Sequence, residues 1–292
     1  MKKTTSVGIV LLLFFFISCF FILDVRGQQP TSSTLYVGGD GPGNYSSIQT
    51  AVNQATVGDI VFVYAGTYVE NLVIEKPLCL TGENKNTTII DGSGNKFVVI
   101  LRANHITVSG FTITNSEKNF PYAGIYVNSG ANTISGNILT NNYYGMQLGY
   151  STSGNVIVNN TIFHNKQCGI YFNHASNNSL IGNIVSDHPV NGFGLYEFSN
   201  KNRIMNNTFS LNRHTGVNIR ESYQNQVVGN TFIQDEIGLH KPSPEYQTVV
   251  RDNTFIDTPL SIEEERDPIV FTVVIFGILV FCAFLVFRKI SL

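Results

Sequence analysis

Three observations predict an all-β chain wound as a right-handed, single-stranded parallel β-helix. The first is a fixed period. Asn137, Asn160, Asn183, Asn207, Asn230 and Asn253 recur at intervals of 23, 23, 24, 23 and 23 residues, and self-similarity at this spacing marks a stacked-repeat architecture. The second is that apolar residues keep their places relative to these asparagines. Ile134, Ile157, Leu180, Ile204, Val227 and Val250 stand three residues before them, and Leu139, Ile162, Val185, Phe209, Phe232 and Phe255 two after. The third is local period two, as in Ile125-Tyr126-Val127 and Ile170-Tyr171-Phe172, which belongs to strands and not to helices. A unit this short cannot bury its apolar face alone, but stacked units merge theirs into one core.

The elements follow in order. Lys2 and Lys3 precede the apolar run Val7 to Leu23, and Val25-Arg26-Gly27 offers a cleavage site; residues 1–27 therefore read as a secretory signal. Residues 28–103 read as an N-terminal cap and the first coils. Leu35-Tyr36-Val37 is a short strand. In Ser46 to Ala55, Ile48, Ala51, Val52 and Ala55 fall on one helical face behind Ser46 or Ser47 as N-cap, so an amphipathic helix is expected to close the open end of the core. Asp59 to Val63, Asn71 to Ile74, Thr88 to Gly92 and Ile106 to Ile113 read as further rungs, and Asn115 to Ala123 as a protruding loop. Regular repeats occupy 104–258, with asparagine and glycine expected at corners that need left-handed backbone.

An acidic linker, 259–267, precedes an uncharged apolar stretch of 20 residues, 268–287, long enough for one transmembrane helix. Arg288 and Lys289 open a short tail, 288–292, which the positive-inside rule places in the cytoplasm, leaving the β-helix outside. With 13% charged residues and a net charge of −2, no basic face for nucleic acid stands out. Cys19 and Cys282 lie in the apolar ends, and Cys79 and Cys168 are expected as two buried thiols. No cofactor is indicated.

The run SIQTAVNQATVGDIVFVYAGTYVENLVI, then KPLCLTGENKNTTIIDG and the repeating GN/NN units, resembles the NosD-type, pectin-lyase-like right-handed parallel β-helix proteins. The resemblance covers roughly Leu35 to Asp257. It implies the fold, and a choice among polysaccharide lyases, glycoside hydrolases, esterases, surface proteins and a copper-maturation factor, because fold does not fix function. The clustered aspartates and Gly-His-Gly phrases that a polygalacturonan hydrolase would carry do not occur.

The candidate sites are read from position in the repeat. The outward residues after each repeat glycine, Tyr126, Gln147, Tyr171, Tyr196, Asn218 and His240, are expected to form a line that holds sugar faces through rings and amides. His174 and Glu221 stand five residues after their repeat glycines, with Glu197 near them, as an acid/base grouping. His164, Asp187 and His188 occupy adjacent corners, and their mixed donors would suit zinc, nickel or copper(II). Copper(I) would favour Met146, Met205, Cys79 and Cys168, of which several read as inward. Sequons for N-glycosylation start at Asn44, Asn86, Asn159, Asn177 and Asn206. Together these describe a membrane-tethered, non-catalytic envelope protein that binds a glycan or serves in envelope structure. A polysaccharide lyase or hydrolase and a copper-maturation role stay open as alternatives.

Overall fold

The computed structural model describes residues 32–264. The signal segment (1–27), the membrane span (268–287) and the tail (288–292) lie outside the described residues. Among those described, no helix is long and apolar enough to cross a membrane.

The chain winds into a parallel β-solenoid of three sheets, with ten, nine and nine strands. Each regular coil gives one strand to each sheet, as Thr133–Ser135, Ile138–Thr140 and Tyr144–Leu148 do. Equivalent residues pair directly: Ile134 with Ile157 in the first sheet, Leu139 with Ile162 in the second, Met146 with Ile170 in the third. The inward files are fully buried through the body of the solenoid and include a stack of Phe209, Phe232 and, partly buried at the end, Phe255, with ring centroids 5.3 and 5.0 Å apart. Those separations are the strand spacing itself, so identical rings fall into van der Waals contact without adjustment.

At the N-terminal end, α1 (Ile48–Gln54) buries Ile48, Ala51 and Val52. Ser47 caps it and accepts from the Thr50 amide. The Glu70 carboxylate, from the coil below, accepts from the Ile48 amide (2.8 Å), the Gln49 amide (2.9 Å) and the Ser47 hydroxyl (2.9 Å). A negative charge there satisfies orphan amides and complements the helix dipole. Glu70→Ala is expected to cost about 2 kcal/mol and to speed hydrogen exchange in α1 before the repeats; uniform exchange across the chain would refute this.

Asparagine and glycine do occupy left-handed corners, but at different positions from the repeat anchors. The anchor asparagines are not left-handed; the residue before each is. Gly136 (φ 63°), Asn159 (φ 54°), Gly182 (φ 63°) and Asn206 (φ 54°) take that conformation, and each directs the asparagine that follows into the core. There Asn137, Asn160, Asn183, Asn207 and Asn230 form a buried ladder. From Asn160 onward each Oδ1 accepts from the amide and the Nδ2 of the preceding rung, at 2.9 to 3.2 Å. Asn132, Asn155, Asn178, Asn202 and Asn225 form a second ladder. A third runs through Ser116, Asn142, Asn165, His188, Asn212 and Asp235. Burying amides this way is favourable because nearly all of these donors find a partner one rung away, Asn225 Nδ2 at the end of the second ladder being an exception.

The repeat glycines answer a spatial demand rather than a torsional one. A Cβ on Gly145 would lie 2.9 Å from Asn165 Nδ2, and one on Gly216 2.7 Å from Asp235 Oδ2. The third ladder occupies the volume a side chain would need.

Two more expectations change. Leu260–Glu264, assigned to the linker, is the last strand of the third sheet. Leu260 and Ile262 continue the files of Ile237 and Leu239, and Glu264 pairs with Lys241 at 2.7 Å. Cys168 is a free buried thiol, but Cys79 is disulfide-bonded. It pairs in register with Ile60 and Thr107, next to the inward file of Val61, Leu80 and Val108, so its sulfur faces outward and not into the core.

Candidate functional site

The outer face of the third sheet carries the aromatic line, with one change of register. Tyr126, Gln147 and Tyr171 pair in sequence, and the next members are Gly194, Asn218 and His240. Tyr196 instead pairs with Asn173. The repeat glycine of this coil is therefore Gly192, not Gly194. A slip of two residues leaves the face unchanged, because side chains alternate. Gly194 offers no side chain, and the Tyr196 ring folds back over it: a Cβ there would lie 2.4 Å from Tyr196 Cε2. The ring thereby rejoins the line at 5.4 Å from Tyr171, and its hydroxyl accepts from Asn191 Nδ2 at 2.7 Å.

Beside this line is an open groove of about 320 Å³ lined by Tyr144, Tyr171, Tyr196, Asn191, Arg220, Glu197 and Glu221, among others. Tyr144 stacks on Tyr171 at 4.7 Å. Ala123, Tyr144 and Cys168 form a small apolar cluster on the outside of the sheet, with Phe97, Tyr143, Tyr171 and Val190 packed against it. Burial holds the Tyr144 and Tyr196 hydroxyls above their usual range and pushes the Cys168 thiol up to about 12. At neutral pH these groups are protonated: they donate hydrogen bonds and do not act as bases or nucleophiles. Asn191 is 2% exposed, and its Oδ1 has no partner.

Three of the six expected face residues are nearly covered: Gln147 and His240 are 8% exposed and Asn218 3%. On a parallel sheet, neighbouring strands stand about 4.8 Å apart, so larger flanking side chains close over shorter ones. The tyrosines supply the accessible apolar surface. Tyr144, Asn191 and Arg220 escaped the sequence reading; the one available signal was the position of Tyr144 immediately before its repeat glycine.

His174, Glu197 and Glu221 do stack, at the corner after the third sheet. The His174 amide donates to the Glu197 carbonyl (3.0 Å), the Phe198 amide to that of Glu221 (2.9 Å), and His174 Nδ1 lies 3.6 Å from Glu197 Oε2. All three are left-handed, with φ of 53°, 47° and 48°. The 24-residue interval is explained here, because Glu197 and Phe198 together face His174 alone. Tyr150 stacks on His174 at 4.3 Å, with Phe198 beyond at 5.7 Å, an exposed aromatic rim that the sequence did not reveal.

The His164, Asp187 and His188 grouping does not converge. His164 Nε2 meets Asp187 Oδ2 at 2.5 Å on the surface, whereas His188 is fully buried in the third ladder. The reason is the corner geometry: the left-handed residue points out and its successor in. Of the five sequons, Asn86, Asn159, Asn177 and Asn206 are exposed, whereas Asn44 donates its Nδ2 to the Gly38 carbonyl at 2.6 Å.

A family model described as periplasmic copper-binding protein (NosD) matches residues 52–268. A cell surface glycoprotein of Methanothermus fervidus is 28% identical over 54% of this chain and 32% of its own length, so the chain spans about a third of that curated relative. Among solved structures, pectate lyase Pel9A superposes with a TM-score of 0.61 at 14% identity, over 82% of this chain and 79% of that one. An alginate lyase from Paenibacillus sp. str. FPU-7 gives 0.61 at 12%, over 80% and 99%. These two likenesses speak to the fold. Among the described residues no three His, Cys, Asp or Glu side chains are placed to hold a metal ion. Met146 is sealed in the core, and Cys168 is buried and protonated against Gln167. The residues described do not fit copper.

Proposed function

The chain belongs to the NosD family of β-solenoid proteins, and from that premise we propose that it is a non-catalytic protein of the cell surface that binds uncharged carbohydrate along its third sheet. The observation that carries this reading is the partly exposed Tyr171 and Tyr196 rings, backed from beneath by the buried Tyr144 ring, beside the unpartnered Asn191 Oδ1. Rings present the apolar surface that a sugar face needs, and the buried acceptor orients one hydroxyl. The groove lining carries one cation, Arg220, with two carboxylates, Glu197 and Glu221, so it holds no surplus positive charge that would call for an anion. The similarity to a cell surface glycoprotein supports the location. The apolar stretches at 1–27 and 268–287 support export and a single membrane tether, with an extracellular or periplasmic solenoid. Glycans on Asn86, Asn159, Asn177 and Asn206 belong to the same proposal.

Tyr171→Ala is expected to weaken glycan binding at least tenfold, because stacked rings are worth about 1 kcal/mol beyond their buried area. The measurement is titration calorimetry with ligands first identified on a glycan array. Silence on the array, or unchanged affinity in the variant, would end the binding proposal. One observation favours a second reading: Glu197 and Glu221 line the same groove. A lyase or hydrolase would turn over a polysaccharide and lose that turnover in Glu221→Gln.

A further inference from the structure

The corner between the third sheet and the first leads onto the outer face of the first sheet, which contributes no residue to the lining of the proposed glycan groove. A second groove of about 440 Å³ lies against it, lined by Asn177, Ser179, Lys201, Arg203, Gln224 and Gln226 around the buried ladder. Its lining contains two cations, several amides and no carboxylate. Lys201 and Arg203 are both exposed, and among the described residues neither takes part in an ion pair, whereas Arg102, Lys241 and Arg251 do. In a chain of net charge −2 this is a local excess of positive charge.

An aromatic pair adjoins it. The Lys201 amide donates to the Tyr223 carbonyl at 2.9 Å. Tyr223 is 41% exposed and stacks on Tyr246 at 4.5 Å. Gln224, next in the chain, donates its Nε2 to Gln247 Oε1 at 3.0 Å, which braces the wall. A ring surface, a planar guanidinium, an ammonium and side-chain amides therefore lie on neighbouring coils. Guanidinium and ammonium groups bind oxyanions through charge-assisted hydrogen bonds, and amides add neutral donors. The third-sheet groove differs in kind, because its one cation, Arg220, shares the lining with Glu197 and Glu221.

We propose that the face of the first sheet and the corner leading into it form a second binding surface, for an oxyanion, either carboxylate or sulfate ester, carried on a sugar ring that stacks on Tyr223. It stands on different residues from the third-sheet groove and does not depend on that groove being occupied. Asn177 starts a sequon and lines this surface, so a glycan there would cover it. The test therefore uses the full chain from a host without N-glycosylation.

Titration calorimetry at low and high salt would compare a uronate oligosaccharide, a sulfated oligosaccharide and the uncharged parent of the latter. At least one anionic ligand is expected to bind, more weakly at high salt, and to lose about tenfold or more in the double variant Lys201→Ala/Arg203→Ala, the loss of roughly one charge-assisted hydrogen bond. Binding of only one anionic ligand identifies which oxyanion the surface takes. Both replaced side chains are solvent-exposed, and an unchanged melting curve would confirm that the variant folds. Neutral-glycan binding in the third-sheet groove is expected to survive that variant. No binding of either anionic ligand would overturn the proposal. So would affinity indifferent to salt and to the double variant, or anion binding that vanishes in Tyr171→Ala.

Discussion

Asn183→Ala is expected to destabilise the solenoid by on the order of 4 kcal/mol, a large value for one side chain. The Asn183 Oδ1 accepts from the Asn160 amide (3.0 Å) and the Asn160 Nδ2 (3.1 Å). Its Nδ2 donates to the Ile157 carbonyl and to Asn207 Oδ1, each at 2.9 Å. Alanine orphans the Asn160 amide inside the core and takes one partner from the Ile157 carbonyl, and each buried orphan costs about 1–3 kcal/mol. Neighbouring rungs polarise one another, so the loss should exceed that of a single bond. The natural end of the second ladder argues in the same direction. Thr248 stands where a sixth asparagine would, and Asn225 Nδ2 above it has no partner. Thr248→Asn should therefore stabilise by about 1 kcal/mol. Denaturant melts of both variants would check this; an Asn183→Ala loss below that of an exposed control such as Asn159→Ala would refute the ladder as a source of stability.

Asp235→Asn is expected to change how stability depends on pH. In the third ladder each amide donates one coil back: Asn142 to Ile113, Asn165 to Leu139 and Asn212 to Val185. Asp235 occupies the last such place, with Oδ1 accepting from Asn212 at 2.8 and 2.9 Å and Oδ2 buried without a partner. The corresponding carbonyl is that of Phe209, and a protonated carboxyl would supply the donor that asparagine supplies elsewhere. Burial accordingly raises Asp235 to about 7 from 3.8. The stability it contributes is full below the unfolded value near 3.8 and is lost as pH rises through 7.

His188 opposes it. Asn212 Oδ1 only accepts, so the Nδ1 that meets it at 2.9 Å carries the proton, and Nε2 accepts from Asn165 Nδ2 at 3.2 Å. Protonating Nε2 would set two donors face to face. Burial lowers His188 to about 4 from 6.5, so its contribution is present above 6.5 and is lost as pH falls toward 4. Between pH 4 and 6.5 the two slopes nearly cancel. Asp235→Asn should expose the histidine slope, with stability rising by roughly 3 kcal/mol across that window, and should stabilise the fold above pH 7. His188→Asn should leave the opposite slope, falling from pH 4 to 7. Parallel pH–stability curves for wild type and both variants would show that neither group titrates inside the ladder.

The face of the third sheet was readable before any coordinates because alternation is a property of the strand itself. That rule survived even where the repeat glycine was misassigned, since Gly192 and Gly194 lie on the same parity. The groove was less readable. Tyr144 precedes its glycine, Asn191 is recruited from the coil two below that of Tyr144, and Arg220 from the one beyond. His174, Glu197 and Glu221 lie together at one corner, whereas His188 turns away from His164 and Asp187. Adjacency in sequence at a left-handed corner sends consecutive side chains to opposite sides of the wall.

Period, stacking direction and the division into inward and outward files follow from residues that repeat identically. In a parallel solenoid a residue's nearest neighbours are its own equivalents one coil away, so local pattern and tertiary contact are the same information. What tertiary packing decided are the exceptions to the repeat. One extra residue at Glu197–Phe198, a missing side chain at Gly194, and a histidine and an aspartate in an asparagine column each acquire meaning from what fills the space beside them, and that volume belongs to other coils.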